Sequence, residues 1–180
     1  FALLEQSGFS RDVINDVVLH STLQFREEVK DFIDLLEKHQ IPLIIMSAAP
    51  GDMLVEHLRH EGLLRSNVHV IANLYQFDAE GNAIKINEPI IHSLNKHEVV
   101  VKNFPVFEII KERKNILLLG DSMGDVGMAD GFDYKEIIKV GFLNQEVEKN
   151  IDIYSENYDV VVTNDGSLAI VNELLEEMLE

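Results

Sequence analysis

The chain has 180 residues, 46% of them apolar, and a formal charge of −17 from 32 acidic and 15 basic residues. This composition suits one globular domain, or one domain with a small appendage, and the charge argues against non-specific binding to nucleic acid or anionic membranes. There is no cysteine, which excludes disulfides and thiolate metal sites, and no apolar run approaches the ~18 residues of a membrane helix. We therefore expect a cytoplasmic protein.

Hydrophobic periodicity predicts helices alternating with short strands. Ser10 is placed to cap the first helix, in which Val13, Val17 and Val18 share a face, and Gly62 stands where a helix C-terminal glycine belongs. In chain order the predicted elements are helices at 10–20 and 22–39, a strand at 41–46, a helix at 51–61, a strand at 68–73, a turn at 77–82, an undecided stretch at 84–95, a helix at 97–112, a strand at 116–119 with a helix after the loop that follows it, strands at 139–142 and 158–162, and a helix at 167–179. This alternation predicts an α/β fold with a mostly parallel sheet.

The most informative stretch is the acidic loop, residues 120–125, which reads Gly-Asp-Ser-Met-Gly-Asp. It puts Asp121 and Asp125 on a glycine-rich turn at the carboxyl end of the 116–119 strand, where open α/β sheets bind their ligands. Two carboxylates there would attract a divalent cation, and the cation would attract phosphate; a solvated surface turn is the alternative. Met123 in the third position excludes an EF-hand loop, and no Gly-Lys-Ser/Thr follows to make a P-loop.

Other positions could supply the donors that a phosphate ester needs in such an acidic protein. Ser47 follows the 41–46 strand and precedes a helix, so its hydroxyl and the amides of Ala48 and Ala49 could cradle an anion; a simple helix cap fits the position equally well. Lys96, taken alone, is typical of a solvated surface charge. The histidines show no spacing that supports a metal site.

These positions resemble the second, third and fourth motifs of the haloacid dehalogenase-like phosphohydrolases, which are a strand-end Ser/Thr, a Lys and a Gly-Asp-x-x-x-Asp turn. Within that superfamily the chain resembles the cytosolic 5′-nucleotidase III (pyrimidine 5′-nucleotidase) family from about residue 20 onward. The segments that carry the resemblance are Ile-Met-Ser-Ala-Ala-Pro-Gly-Asp-Met-Leu (45–54), Phe-Asp-Ala-Glu-Gly (77–81), Leu-Asn-Lys-His (94–97) and Gly-Asp-Ser-Met-Gly-Asp-Val-Gly-Met-Ala-Asp-Gly (120–131). The resemblance implies a Rossmann-like core at residues 22–180, a mostly parallel sheet flanked by helices, and the remnant of a helical cap at residues 1–21.

The resemblance also implies a Mg²⁺-dependent 5′-nucleotidase that hydrolyses nucleoside 5′-monophosphates, with pyrimidines preferred, through an aspartyl-phosphate. Asp121 would bind the metal, and Asp125 would support the metal shell and its water and take part in catalysis. Ser47 and the Ala48 amide would hold the phosphate, and Lys96 would neutralise both the phosphate and the nucleophile. Phosphomonoester hydrolysis depends mainly on positioning and charge neutralisation, which agrees with these roles.

One motif of the family is absent. Its first motif, Asp-x-Asp-x-Thr/Val, carries the aspartyl nucleophile, and no two aspartates of this sequence are two positions apart. We therefore expect the native protein to be longer, with a segment that supplies the nucleophile and a central strand between the strands at 41–46 and 116–119, and we expect the chain alone to be inactive. The alternatives are another small-molecule phosphatase of the superfamily, such as a phosphoserine-phosphatase-like enzyme, and a truncated non-catalytic domain.

Overall fold

The structure is a computed structural model that describes residues 8–92, 95–97 and 101–180. In chain order its elements are α1 (Arg11–Leu19), α2 (Val29–Lys38), β1 (Leu43–Pro50), α3 (Gly51–His60), β2 (Val68–Asn73), β3 (Tyr75–Phe77), β4 (Ala83–Ile86), α4 (Phe107–Ile110), β5 (Asn115–Gly120), a 3₁₀ helix (Met123–Ala129), β6 (Glu136–Leu143), α5 (Val147–Asn157), β7 (Val160–Thr163) and α6 (Ala169–Leu179). The chain divides into two compact units, one made of Phe1–Gln24 and Ile41–His92, the other of Phe25–Gln40 and Ser93–Glu180.

The first unit is built on the parallel pair β1 and β2, with β3 and β4 forming an antiparallel hairpin. The turn of the hairpin is closed by Asp78, whose carboxylate accepts a hydrogen bond from the Asn82 amide at 2.7 Å. This confirms the turn predicted at 77–82. The β1 and β2 strands are joined by α3, as expected of a parallel pair, which needs a crossover connection.

The first helix begins as predicted but buries a different face. The Ser10 hydroxyl accepts from the Val13 amide at 3.3 Å, as an N-cap should. Ile14 and Val18 are the buried residues of α1 and pack in a cluster with aromatic and small side chains of the same unit. Val13 and Val17 are each 42% exposed, so of the three valines predicted to share a face Val18 alone lies in the core, where it packs with Ile14.

The second unit is built on the three-stranded parallel sheet β5-β6-β7. Register runs from Asn115 opposite Glu136 to Gly120 opposite Gly141, and β6 continues for two more residues, to Leu143. A buried cluster formed by Leu118, Ala129, Leu143, Tyr154 and Tyr158 lies beside this sheet and under the acidic loop. The carboxyl end of β5 therefore carries the acidic loop on a packed foundation.

Parallel sheets flanked by helices confirm the predicted fold class. Two predicted helices differ most from the observed ones, and one helix was not predicted. The helix predicted at 22–39 begins only at Val29, because Glu28 adopts a left-handed backbone with φ 65°. In its described part the helix predicted at 97–112 is interrupted, with Val101 helical, turns and a bend at 102–106, and then α4; residues 98–100 lie outside the described residues. Helix α5 was not predicted.

Strands β1 and β5, which carry the candidate site residues at their ends, each have one partner strand in the part of the chain that the structure describes. Among the strands of the described residues, β1 pairs only with β2, and β5 pairs only with β6. Both strands are rich in Ile and Leu, yet most of their side chains are only half-buried. An additional strand that pairs with the second edge of each remains a prediction.

Candidate functional site

One buried carboxylate fixes the shape of the acidic loop. The side chain of Asp125 is only 5% exposed, and its Oδ2 accepts from the Asp121 amide (3.2 Å), the Ser122 amide (3.1 Å) and the Ser122 hydroxyl (2.8 Å). Ser122 and Asp125 form the capping box of the 3₁₀ helix. Because Oδ2 already accepts from three donors, Asp125 holds the loop from inside.

Lys96 forms an ion pair with the other carboxylate oxygen of Asp125. Its Nζ lies 2.9 Å from Asp125 Oδ1, and the lysine side chain is itself only 16% exposed. A buried carboxylate is costly unless it is paired and hydrogen-bonded, and Lys96 supplies the paired charge. Lys96 is therefore a buried ion-pair partner rather than a solvated surface charge.

The two aspartates of the loop differ in their pKa. Burial by itself would raise the pKa of Asp125, but hydrogen bonds from Lys96 and Ser122 outweigh this effect and hold the pKa below its ordinary value. The pKa of Asp121 is raised, first because the surrounding protein removes water from part of its carboxyl group, then because the Asp125 carboxylate lies beside it. Asp121 thus carries the less compensated charge, and a bound cation would relieve the repulsion between the two groups.

An open cavity of about 360 Å³ lies beside Asp121. Its lining includes Asp121, the carboxylate residue Glu146 and the amide residues Asn144, Gln145 and Asn150. All of these belong to the second unit, at the ends of β5 and β6. The cavity gives a small ligand access to the Asp121 carboxylate.

The donor set of this loop fits a magnesium ion. Mg²⁺ prefers hard oxygen ligands, demands few carboxylates and keeps several waters. Within the ranges that the structure describes, no three His, Asp or Glu side chains gather as a metal site. The ligand that this loop can provide is therefore the Asp121 carboxylate, with Asp125 beside it. Asp121 would be the direct ligand, and Asp125, saturated by its other partners, would hold the loop behind it.

Two tyrosines that sequence reasoning missed hold the backbone of the loop. The Tyr154 hydroxyl donates to the Asp121 carbonyl at 2.6 Å, and the Tyr158 hydroxyl donates to the Ser122 carbonyl at 2.6 Å. Their rings stack with centroids 5.4 Å apart. The sequence contains no signal for this pair, because Tyr158 lies just beyond α5 in extended backbone and both partners are backbone carbonyls.

Ser47 and Ala48 lie in the first unit, in an irregular stretch of β1. Regular pairing with β2 is interrupted between Met46 and Pro50, and the Ser47 hydroxyl accepts from the Ala49 amide at 3.2 Å. Helix α3 begins directly after Pro50. The backbone groups of this stretch thus leave the regular ladder just before a helix N-terminus, which is where anion-binding concavities form.

Asn73, also missed from the sequence, holds this irregular stretch in place. It is fully buried, at 0% exposure. Its Nδ2 donates to the carbonyls of Ala48 (2.8 Å) and Ile91 (2.9 Å), and its Oδ1 accepts from the Ile91 amide (2.8 Å). One amide group thus joins the Ser47 stretch to the segment that leads, five positions later, to Lys96. An asparagine ending an apolar strand was the available signal.

The structure brings Lys96, Asp121 and Asp125 together in the second unit and places Ser47 and Ala48 in the first. Their roles as metal ligands, phosphate-binding groups and catalytic groups remain predictions. None of the helices within the described ranges has the length and apolar character to span a membrane.

The family profile described as Pyrimidine 5'-nucleotidase (UMPH-1) matches residues 1–179. The 7-methylguanosine phosphate-specific 5'-nucleotidase of Mus musculus is 38% identical over 179 residues, which cover 99% of this chain and 60% of the mouse protein. Its Homo sapiens counterpart is 36% identical over 178 residues, covering 98% and 59%. The chain therefore spans about 60% of the length of these relatives.

Solved structures give the same grouping. Cytosolic 5'-nucleotidase IIIB (cN-IIIB), solved with bound cytidine, superimposes with a TM-score of 0.80 at 29% identity, over 93% of this chain and 56% of that one. A phosphoserine phosphohydrolase-like protein from Francisella tularensis superimposes with a TM-score of 0.59 at 10% identity, over 92% and 70%. The second likeness is one of fold alone. Together these neighbours confirm the haloacid dehalogenase-like α/β fold.

Proposed function

The chain belongs to the family described as Pyrimidine 5'-nucleotidase (UMPH-1), as its resemblance to the cytosolic 5′-nucleotidase III family predicted, and we propose that the full-length protein is a Mg²⁺-dependent 5′-nucleotidase. It hydrolyses nucleoside 5′-monophosphates in the cytoplasm. The observation that carries this proposal is the acidic loop, in which Lys96 and Ser122 neutralise and fix Asp125 while Asp121 stands at an open cavity. That arrangement suits a site that must hold a cation and a phosphate together.

We assign roles to three residues of the second unit. Asp121 holds Mg²⁺, which supplies charge neutralisation to the phosphate oxygens when bound. Asp125 keeps the Asp121 backbone in position and orients the Lys96 ammonium group, which lies 2.9 Å from its Oδ1. Lys96 brings positive charge to the phosphate in a chain whose formal charge is −17. Because the Lys96 side chain is mostly buried, little water screens the attraction between its ammonium group and a phosphate.

The phosphate-binding role falls to Ser47 and Ala48. The irregular stretch of β1 offers a hydroxyl and backbone amides directly before α3, whose N-terminus favours anions. We assign the Ser47 hydroxyl and the Ala48 amide to the phosphate oxygens. The Ser47 oxygen already accepts from the Ala49 amide, so its own proton is free to be donated to a phosphate oxygen.

The nucleophile is proposed to lie outside this sequence, because no Asp-x-Asp pair occurs among its 180 residues. A strand that carries this motif would pair with the second edges of β1 and β5. The chain alone is then inactive. We also retain residues 1–21 as the remnant of a helical cap and residues 22–180 as the core.

The names of the relatives indicate which nucleotides should be tested as substrates. The mouse and human relatives are named for 7-methylguanosine phosphate, and the solved neighbour holds cytidine. We propose that pyrimidine nucleoside 5′-monophosphates are preferred here, with 7-methylguanosine 5′-monophosphate as the competing substrate. The shared chemistry is a nucleoside 5′-phosphate monoester.

The test is turnover by the full-length protein with Mg²⁺ or with EDTA, using CMP, UMP, 7-methylguanosine 5′-monophosphate and phosphoserine. We expect release of phosphate from the nucleotides, loss of turnover with EDTA, and a fall in kcat/KM of roughly 100-fold or more for Asp121→Asn, because a metal ligand is lost. Asp152→Asn, which changes an exposed aspartate of α5, is the matched control and should keep wild-type turnover.

Three outcomes would contradict the proposal: no hydrolysis of any nucleotide, turnover that survives EDTA, or an Asp121→Asn variant as active as its control. Hydrolysis of phosphoserine in preference to every nucleotide would favour the alternative phosphatase. Equal rates on CMP and 7-methylguanosine 5′-monophosphate would contradict the pyrimidine preference only.

A further inference from the structure

The tyrosine pair, Tyr154 and Tyr158, binds two consecutive carbonyls of the acidic loop. Tyr154 donates to the Asp121 carbonyl and Tyr158 donates to the Ser122 carbonyl, both at 2.6 Å. The two phenol groups are buried, at 8% and 4% exposure, and their rings stack at 25°. Tyr154 belongs to α5, and Tyr158 is the residue with extended backbone that directly follows the helix, so the loop is bound from the C-terminal end of α5.

Paired glycines make room for these rings. Gly120 of β5 lies in register with Gly141 of β6. A Cβ atom at Gly141 would stand 2.6 Å from Tyr158 Cδ2 and 3.1 Å from Tyr154 Cδ1, and a Cβ atom at Gly120 would stand 2.6 Å from the Tyr158 hydroxyl oxygen. Either contact is closer than van der Waals packing allows. The sheet is therefore bare of side chains where the tyrosine pair crosses it.

The backbone of Asp121 is consequently held from two sides. Its amide donates to Asp125 Oδ2, and its carbonyl accepts from Tyr154. The next residue, Ser122, repeats the pattern with Asp125 and Tyr158. Fixing both backbone groups of two consecutive residues leaves little freedom in the direction of the side chain of Asp121, which lines the cavity.

We infer that Tyr154 and Tyr158 are positioning residues for the cation site: they preorganise the Asp121 carboxylate to bind a divalent cation. The inference rests on the metal site of the proposed function. Ligand groups must be held within a fraction of an ångström of their working geometry, and hydrogen-bonded groups around the ligand do this in metal sites generally. Removing the hydroxyl groups should therefore weaken cation binding while leaving nucleotide contacts in place.

The test compares Tyr154→Phe and Tyr158→Phe in the full-length protein, with Tyr134→Phe as the matched control, since Tyr134 is 39% exposed. Phenylalanine keeps the ring and removes only the donor. We expect each variant to raise the Mg²⁺ concentration for half-maximal turnover about fivefold, the factor for one ordinary hydrogen bond. The dissociation constant for Mn²⁺, measured by electron paramagnetic resonance without substrate, should rise by a similar factor. The KM for CMP at saturating Mg²⁺ should stay within about twofold.

The outcomes separate a positioning role from packing alone. Folded variants that bind Mn²⁺ as tightly as wild type overturn the inference, and so does a fall in melting temperature with unchanged Mn²⁺ affinity. If the variants do not fold, the wild-type full-length protein can be labelled with 3-fluorotyrosine, to whose fluorine spectrum the 180-residue sequence contributes four tyrosines. Mg²⁺ must then shift two fluorine resonances that persist in Tyr134→Phe, and the absence of any shift overturns the inference.

If the proposed function is wrong but the positioning role is right, the measurements differ from those above. Weaker Mn²⁺ binding by the variants, in a protein that hydrolyses no nucleotide, supports the positioning role and contradicts the nucleotidase. Mg²⁺-dependent hydrolysis with unaltered cation constants in both variants contradicts the positioning role alone.

Discussion

Asn73 shows how much of a phosphate-binding stretch depends on one buried amide. Its three hydrogen bonds fix the Ala48 carbonyl and both backbone groups of Ile91. A side chain with no exposure to water has no solvent to replace a lost partner. Position 73 therefore governs both the shape of β1 at Ser47 and the start of the segment that leads to Lys96.

Asn73→Asp should destabilise the protein and weaken substrate binding. The change keeps an acceptor for the Ile91 amide but removes both donors, leaving the carbonyls of Ala48 and Ile91 unsatisfied at roughly 1–3 kcal/mol each. The free energy of unfolding in urea should fall by roughly 2–6 kcal/mol, and the KM for CMP should rise.

Asn87→Asp is the matched control, because Asn87 is exposed and its Oδ1 accepts from Gln76. The aspartate keeps that acceptor, so stability should change by no more than about 0.5 kcal/mol. If the two variants lose the same stability, or if Asn73→Asp keeps the wild-type KM, then Asn73 does not organise this stretch.

Single positions set the limit of what the sequence could predict about the site. Asp121 and Asp125 stand out because two acids at a strand end have little structural use, whereas Lys96 stands out only through the family resemblance. The structure brings these three together. Asn73 and Tyr154 do not stand out, since a buried amide and a buried phenol look like core residues until their partners are known. Those partners are backbone carbonyls, which carry no sequence signal.

Helix α3 is joined to the hairpin strand β3 by an acid in its first turn. The Asp52 carboxylate accepts from the Tyr75 amide at 2.8 Å. Burial raises the pKa of Asp52, although the hydrogen bond from Tyr75 acts against this. The folded protein therefore holds this proton at pH values where the unfolded chain has released it.

This difference predicts a pH dependence of stability. Because the folded pKa lies above the unfolded one, the stability contributed by Asp52 is complete below the unfolded pKa and is lost as pH rises through the folded pKa. Asp52→Asn keeps an oxygen for the Tyr75 amide and does not titrate. Urea unfolding from about pH 3.5 to about pH 7 should show wild type losing stability relative to Asp52→Asn as pH rises.

Asp31→Asn serves as the control, since Asp31 is an exposed acid in the first turn of α2. A difference between wild type and Asp52→Asn that is flat with pH, or that has the opposite slope, would show that burial of Asp52 does not govern its titration.

Elements were predicted where one physical signal dominated. The strand at 68–73 was predicted with its observed bounds because it is a mostly apolar run, with His69 inside it and Asn73 at its end. Helix α5 was missed because Tyr154 is its single fully buried residue and it follows Glu146, which adopts a left-handed backbone with φ 49°. The start of α2 was predicted too early for a related reason. The apolar side chains keep their helical spacing across residue 28, but the left-handed backbone of Glu28 interrupts the helix there.

At the scale of the whole molecule, the strands β1 and β5, which each have one partner strand among the described residues, are the feature with the widest effect. An apolar strand with one unpaired edge exposes backbone donors and acceptors to water or to another chain. We propose that a further strand of the full-length protein pairs with them. Amide hydrogen exchange on the 180-residue chain and on the full-length protein tests this proposal.

Residues 43–46 and 116–119 should gain protection in the full-length protein, because amides that point away from β2 and β6 acquire partners. The amides of β7, which pairs with β6 in the chain itself, provide the internal reference. Equal protection of 43–46 and 116–119 in both proteins would show that no added strand pairs there.

The residues at positions 141 and 158 constrain each other. Because a Cβ atom at Gly141 would stand 2.6 Å from Tyr158 Cδ2, a larger residue at 141 requires a smaller one at 158. Homologous genes with alanine or serine in place of Gly141 should therefore carry a smaller residue where this chain has Tyr158. Gly120 has a second constraint, since a Cβ atom there would also stand 2.6 Å from Asp125 Cβ, so a smaller residue at 158 should not by itself permit alanine at 120.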